Sequence, residues 1–168
     1  MIRILKRRAN RGRVMRTLDR SQAIVDLAPD GRVLDANANF LALMGYRRRE
    51  IVGKSHRLFM DPAEAESASY QEFWQALNRG EFQAAEFRRI AKNGEEKWIQ
   101  ATYNPVRGVT GRVQKIVKLA TDITDVKRAQ REIQNRSQAV IEFSPDGRIL
   151  TANPLFLDAT GYALEEIK

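Results

Sequence analysis

An internal repeat constrains this chain more than any other feature of its sequence. Residues 21–52 recur as residues 137–168 at a constant offset of 116 residues, and 16 of the 32 paired positions are identical. Substitutions between the copies keep side-chain character, as in the pair Ile24 and Val140. Self-similarity at a fixed offset indicates that one structural unit is built twice.

Each copy has the pattern of a hairpin followed by a helix. In the first copy the apolar run Ala23–Leu27 predicts a short strand, and Pro29-Asp30-Gly31 predicts the turn after it, because proline presets φ and glycine accepts a positive φ. Val33 opens the return strand. Phe40 and Met44 then lie at helical spacing, with Gly45 as the expected C-cap.

The remainder of the first copy completes an α+β unit. Residues 54–66 are predicted to be an irregular connection. Residues 67–78 are predicted to form a helix, because apolar side chains recur at positions i, i+3, i+4 and i+7. Three strands follow, at residues 82–90, 97–105 and 113–123. The order β-β-α-α-α-β-β-β predicts a five-stranded antiparallel sheet with short helices on one face.

Four segments are therefore expected. Of the net charge of +8, +7 lies in a basic leader over residues 1–20, so the rest of the chain is nearly neutral. Residues 21–124 form the first domain, residues 125–136 a polar connecting helix, and residues 137–168 the N-terminal part of an incomplete second domain. The leader lacks interleaved aromatic residues, so nucleic acid is not an expected partner.

Several functional classes are excluded or disfavoured. The chain has no cysteine, so disulfides and thiolate chemistry are excluded. No apolar run is long enough to span a bilayer, and no apolar segment follows the basic N-terminus as in a secretory signal, so a cytoplasmic location is expected. The sequence contains no phosphate-binding glycine loop, nucleophile elbow or catalytic triad pattern, and we expect no enzymatic activity.

The combined motifs resemble the PAS domain family. They are residues 36–46 (ANANFLALMGY), residues 50–54 (EIVGK), the turn Lys92-Asn93-Gly94, and residues 120–125 (ATDITD) leading into a helix. The resemblance covers residues 21–125 and the first third of a second PAS domain. It implies that Asp122, Ile123 and Thr124 relay a signal from the last strand into the connecting helix.

Residues 51–105 further resemble the PAS domain of aerotaxis-type chemotaxis receptors. That resemblance implies FAD or haem as a cofactor, with His56, Trp74 and Trp98 at matching positions. One departure is clear: the flavin sensor of that family has Arg-His before the matching proline, where this chain has Met60-Asp61. The light-sensing subclass that forms a cysteine–flavin bond is excluded, since cysteine is absent.

Each candidate site residue also has a structural interpretation. His56, the only histidine, is either a haem ligand or flavin partner, or a structural residue of a loop. Trp74 lies on the apolar stripe of a predicted helix, which favours core packing. The alternation of apolar and polar residues in this strand does not decide whether Trp98 faces the interior or the outside of the sheet. Asn39, like Asn37, either caps the first helix or contacts a ligand.

Metal sites other than haem are not expected, because they need three or four protein ligands. Two functional hypotheses follow. The first is a sensory module of a chemotaxis or related signalling receptor, with a ligand between sheet and helices. The second is a cofactor-free interaction module that forms a homodimer. The expected partners are a second copy of the chain and a downstream signalling domain or chemotaxis components. An interior filled by large side chains would favour the second hypothesis; the candidates are Phe59, Phe73, Trp74 and Phe87.

Overall fold

Five strands of the first structural unit pair in the order β2-β1-β5-β4-β3, and every pairing is antiparallel. In this computed structural model, which describes residues 17–168, the strands are β1 (Ala23–Leu27), β2 (Val33–Ala36), β3 (Gln83–Ile90), β4 (Glu96–Arg107) and β5 (Val113–Asp122). The predicted five-stranded antiparallel sheet is confirmed. β4 is three residues longer than expected, because its pairing with β5 continues to Arg107 through a register shift and its pairing with β3 begins at Glu96.

Short helices connect β2 to β3. They are α1 (Ala38–Met44), α2 (Arg48–Ile51), a 3₁₀ helix (His56–Phe59), α3 (Pro62–Ala65) and α4 (Ala68–Arg79). The prediction of an irregular connection over residues 54–66 was wrong in part, since two short helices form there. A side chain caps the start of each helix: the Ser55 hydroxyl accepts a hydrogen bond from Arg57 N, and the Asp61 carboxylate accepts one from Ala63 N.

The predicted caps form. The Asn37 side chain accepts a hydrogen bond from Phe40 N at the start of α1, and Gly45 ends that helix with φ at 72°. Ser67, predicted as the first helical residue, is instead the N-cap of α4. Asn39 does not cap α1; its Nδ2 donates to the carbonyls of Asp19 and Gln22.

The core lies between one face of the sheet and the helices. Alternate residues of the central strands point into it, so that β1 contributes Val25 and Leu27 while β4 contributes Ile99 and Ala101. Phe40 of α1 packs edge-on against Phe59 of the 3₁₀ helix, with ring centroids 5.2 Å apart. The opposite face of the sheet is partly exposed.

A second unit comprises Asp125–Lys168. It contains most of α5 (Thr124–Ser137), then the hairpin strands β6 (Ile141–Phe143) and β7 (Ile149–Ala152), α6 (Pro154–Thr160) and α7 (Leu164–Ile167). α5 extends one residue beyond each end of the predicted connecting helix.

The second hairpin repeats the first residue for residue. Ile141 pairs with Ala152, just as Val25 pairs with Ala36, at the same offset of 116. Asn153 caps α6 as Asn37 caps α1. The sequence repeat is therefore a repeat of local structure.

The predicted basic leader falls mainly on residues 1–16, which lie outside the described residues. Within residues 17–168 no helix is both long and apolar enough to cross a bilayer.

Candidate functional site

His56 lies at the centre of the first unit, with a side chain that is fully buried. It begins the 3₁₀ helix, and its backbone N–H donates to the carbonyl of Gly31 at 2.8 Å. Gly31 has φ at 84°, and a Cβ at this position would lie 3.1 Å from a ring carbon of Trp74. Glycine is therefore needed here both for the turn and for the close approach of the tryptophan.

Two tyrosine hydroxyls contact the two ring nitrogens of His56. Nδ1 lies 3.2 Å from the hydroxyl of Tyr70 on α4, and Nε2 lies 3.1 Å from the hydroxyl of Tyr103 on β4. We call Tyr70, His56 and Tyr103 the tyrosine–histidine triad. It connects the helical layer to the central part of the sheet through side chains alone.

The imidazole of His56 is held in its neutral form. Burial lowers its pKa well below the usual 6.5, and the nearby cations Lys118 and Arg89 lower it further. A neutral imidazole has one N–H donor and one acceptor nitrogen. One tyrosine hydroxyl therefore donates to His56, and the other accepts from it.

Aromatic rings pack around the triad. The ring of Trp74 meets His56 edge-on at 5.8 Å, Phe59 does so at 6.1 Å, and Tyr70 stacks on it at 6.2 Å. Phe73 contacts Tyr103 edge-on at 4.9 Å. Of the residues named from sequence as interior fillers, Phe73 contacts both Trp74 and Phe87, and Phe59 reaches this cluster through His56.

Two buried cations border the triad. Lys118 on β5 is 1% exposed, and its Nζ lies 4.9 Å from the centroid of the Tyr103 ring. Arg89 on β3 is 2% exposed; its Nη1 lies 3.2 Å from a carboxylate oxygen of Glu64, and its Nη2 lies 3.5 Å from the Tyr103 hydroxyl. Burial and the neighbouring Arg89 lower the pKa of Lys118 well below 10.5.

The predicted site residues are only partly brought together. His56 and Trp74 are in contact. Trp98 precedes the buried Ile99 on β4 and pairs with Arg88, so its side chain lies on the opposite face of the sheet. Asn39 faces the segment that enters β1. The sequence did not single out Tyr70, Tyr103, Arg89 or Lys118, although Lys118 alternates with the buried Ile116 and Ala120.

The residues present do not fit haem ligation by His56. An axial ligand must direct a free ring nitrogen at the iron, whereas both nitrogens of His56 lie within 3.2 Å of tyrosine hydroxyls. Within residues 17–168 no group of three or more histidine or carboxylate side chains is placed to hold a metal ion.

The end of β5 is tied to the start of α5. The Asp122 carboxylate accepts hydrogen bonds from both the backbone N–H and the hydroxyl of Thr124. The Thr124 hydroxyl oxygen also accepts from Trp98 N at 3.0 Å, and Ile123 N donates to the carbonyl of Trp98. Of the three residues predicted as a relay, Ile123 and Thr124 thus hydrogen-bond to β4, while Asp122 hydrogen-bonds to Thr124.

Comparison with known proteins agrees with this architecture. The family described as the PAS fold matches residues 33–120. The biofilm dispersion protein BdlA of Pseudomonas aeruginosa is 47% identical over 159 residues, which cover 91% of this chain and 38% of that protein. The aerotaxis receptor of Escherichia coli is 26% identical over 100 residues, which cover 60% of this chain and 19% of the receptor.

A solved PAS domain from Colwellia psychrerythraea superposes with a TM-score of 0.58 at 25% identity, covering 73% of this chain and 98% of that domain. The chain belongs to the PAS fold family, and the resemblance found in its sequence is confirmed. It spans well under half the length of either curated relative. The match to BdlA is long enough that it necessarily includes part of residues 125–168.

Proposed function

We propose that this chain is the sensory PAS module of a chemotaxis-type or related signal-transduction receptor, and that the tyrosine–histidine triad is the element that changes state. The observation that carries the proposal is the side-chain connection from Tyr70 on α4, through His56, to Tyr103 in the sheet. A stimulus that breaks or reorients one of these two hydrogen bonds alters the packing of the sheet. No enzymatic activity is proposed.

The relay runs through the end of the sheet. Tyr103 pairs with Lys118 of β5, and β5 ends at Asp122, whose carboxylate binds Thr124 at the start of α5. A change in the strand that carries Tyr103 therefore reaches the first turn of α5 through one pair of strands. A two-state element of this kind shifts its population when a ligand binds one state better.

Hydrogen–deuterium exchange tests the relay. We expect Tyr103→Phe to accelerate amide exchange in residues 125–128 several-fold, because the triad then holds the sheet less firmly. The matched control is Tyr46→Phe, which removes a hydroxyl outside the triad. Equal exchange in this segment for the wild type and both variants would remove the relay from the proposal.

An absorption spectrum of the purified chain tests for a cofactor independently. The geometry around His56 leads us to expect no Soret band. A flavin or Soret band would show that the interior opens to admit a chromophore. The hydrogen bonds of the tyrosine–histidine triad would then exist only in the protein without its cofactor.

A second candidate is a cofactor-free interaction module, and the ring cluster around His56 is the observation that favours it. The docking face would be the outer face of the sheet, where Val117, Leu119 and Thr102 are partly exposed. We propose a homodimer through this face, with a downstream signalling domain or chemotaxis component as its target. The cytoplasmic location remains a prediction.

Sedimentation velocity across a concentration series tests the dimer. Leu119→Glu should shift the chain towards monomer, whereas Val109→Glu, at a fully exposed loop position, should not. A wild-type chain that is monomeric at every concentration would contradict the homodimer.

For residues 137–168 we propose the N-terminal part of a second PAS domain. The hairpin register and the helix caps of the first domain recur there. Phe143 and Tyr162 are each 57% exposed in this unit, whereas Leu27, the counterpart of Phe143, is fully buried in the first. Adding the three strands that follow in a complete PAS domain should bury both side chains, which tryptic protection of this segment would report.

A further inference from the structure

The interior of the first unit contains two basic side chains, for which the described residues supply a single carboxylate. Lys118 and Arg89 are both at least 98% buried. The only carboxylate placed within salt-bridge distance of either, among the described residues, is that of Glu64, which pairs with Arg89. A buried cation is strongly unfavourable unless it is paired and hydrogen-bonded. Two such side chains so close together would be stabilised by an anionic group.

Neither cation is fully satisfied by protein groups. Lys118 Nζ has no hydrogen-bond partner among the described residues, and neither has Arg89 Nε. The nearest groups to the ammonium are the faces of the Tyr103 and Phe40 rings, with centroids at 4.9 Å and 5.7 Å. Ring faces attract a cation without accepting a proper hydrogen bond from it.

The two cations lie on either side of one residue. Arg89 reaches the hydroxyl of Tyr103, and Lys118 lies over the ring of Tyr103. Because β3, β4 and β5 are adjacent in the sheet, both side chains point into the same interior. Their positive potentials therefore add in the same place.

A cavity of about 180 Å³ leads from the surface to Arg89. Its walls combine two phenyl rings with hydroxyl groups and one carboxylate; they are Glu64, Ser67, Ser69, Tyr70, Phe73, Phe87 and Arg89. Apolar walls with a few convergent polar groups are typical of small-molecule sites. A ligand here would have an apolar body against Phe73 and Phe87 and its polar end at Arg89.

We propose that this cavity binds a small organic carboxylate, held at Arg89 Nε and stabilised by the positive charge of Lys118. A guanidinium edge suits a planar carboxylate, because the two can form charge-assisted hydrogen bonds. Glu64 already pairs with Arg89 Nη1, so the ligand is assigned to Arg89 Nε, which has no hydrogen-bond partner among the described residues. The inference rests on the proposed sensory function, to which it adds the chemical class of the ligand.

Benzoate and benzamide form a matched pair of probes, because they share shape and differ in charge. Titrated into the full 168-residue chain, benzoate should raise the melting temperature progressively and bind saturably by calorimetry, whereas benzamide should do neither. The proposal would be overturned if both probes raised the melting temperature equally, or if neither probe raised it at tens of millimolar.

Comparison of Lys118→Met with Lys115→Met distinguishes an effect of Lys118 at the proposed site from the effect of removing any one positive charge. Lys115 lies on the same strand, but it points to the other face and pairs with Asp26. Loss of the nearby Lys118 ammonium should weaken benzoate binding about tenfold in Lys118→Met. Binding to Lys115→Met should be unchanged, and equal affinity in both variants would contradict the role of Lys118. Arg89→Gln serves as the second site variant if Lys118→Met does not fold.

Exchange in residues 125–128 distinguishes failure of this inference from failure of the sensory function. Saturable benzoate binding without any change in exchange would support the carboxylate site and count against the relay. If Tyr103→Phe changes amide exchange but the chain does not bind benzoate, the relay is supported and the proposed carboxylate site is rejected.

Discussion

Nε2 of His56 lies 3.1 Å from the hydroxyl oxygen of Tyr103, although 47 residues separate them in the chain. Both side chains are fully buried, so neither atom can exchange its partner for bulk water. A buried polar group that loses its partner costs about 1–3 kcal/mol. This contact therefore makes the interior sensitive to small changes.

Removal of the Tyr103 hydroxyl should destabilise the first unit. Tyr103→Phe leaves one nitrogen of His56 without its partner, and we expect the free energy of unfolding to fall by about 1–3 kcal/mol. Urea denaturation followed by circular dichroism measures the change. Tyr46→Phe serves as the control and should cost clearly less; equal losses in the two variants would show that the contact contributes nothing specific.

Acidification should destabilise the protein through His56. Its folded pKa lies well below the unfolded value of about 6.5, so between these two values the unfolded chain binds the extra proton. Stability contributed by the neutral imidazole is complete above pH 6.5 and is lost as the pH falls from there towards the folded pKa. The limiting slope is about 1.4 kcal/mol per pH unit.

The unfolding free energies of wild type and His56→Gln should be measured from pH 7.5 to 4.5. Because both proteins contain the same carboxylates, the difference between the two free energies reports the titration of His56. The advantage of wild type should shrink as the pH falls. A constant difference across the range would show that His56 titrates normally in the folded state.

Thr124→Val should loosen the start of α5 without unfolding the sheet. The variant removes the hydroxyl that donates to Asp122 and accepts from Trp98 N, so amide exchange in residues 125–128 should accelerate. Thr121→Val is the matched control, because the Thr121 hydroxyl donates to Gln22 Oε1 in an exposed hydrogen bond that does not involve α5. If both variants exchange alike, Thr124 does not anchor the helix.

Asn37→Ala should destabilise the first unit by about 1–2 kcal/mol. The side-chain oxygen accepts from Ile24 N and Phe40 N, while Nδ2 donates to the carbonyl of Gln22 at 2.8 Å, so one residue joins a strand, a helix and the segment before them. Thermal unfolding measures the effect. The neighbouring Asn39→Ala, which leaves the cap in place, should cost less, and the reverse order would contradict this assignment.

Local sequence patterns were sufficient to predict the sheet, its order of elements and the repeat. Strand alternation, the Pro-Asp-Gly turn and the capping residues Asn37 and Gly45 act over a few residues, so their structural consequences can be inferred without knowing the rest of the fold. The short helices over residues 56–65 escaped prediction, because each is only four residues long and depends on a single capping side chain.

The sequence by itself determined the PAS fold, the duplicated hairpin and the position of the link between β5 and α5. It also indicated His56 and Trp74, since one is the only histidine and the other lies on an apolar helical stripe. Only the tertiary structure decided what surrounds them. Tyr70, Tyr103, Arg89 and Lys118 come from α4 and three different strands, and polar side chains in these elements are ordinarily exposed. Their convergence on His56 depends on how the elements stack, which no local pattern encodes.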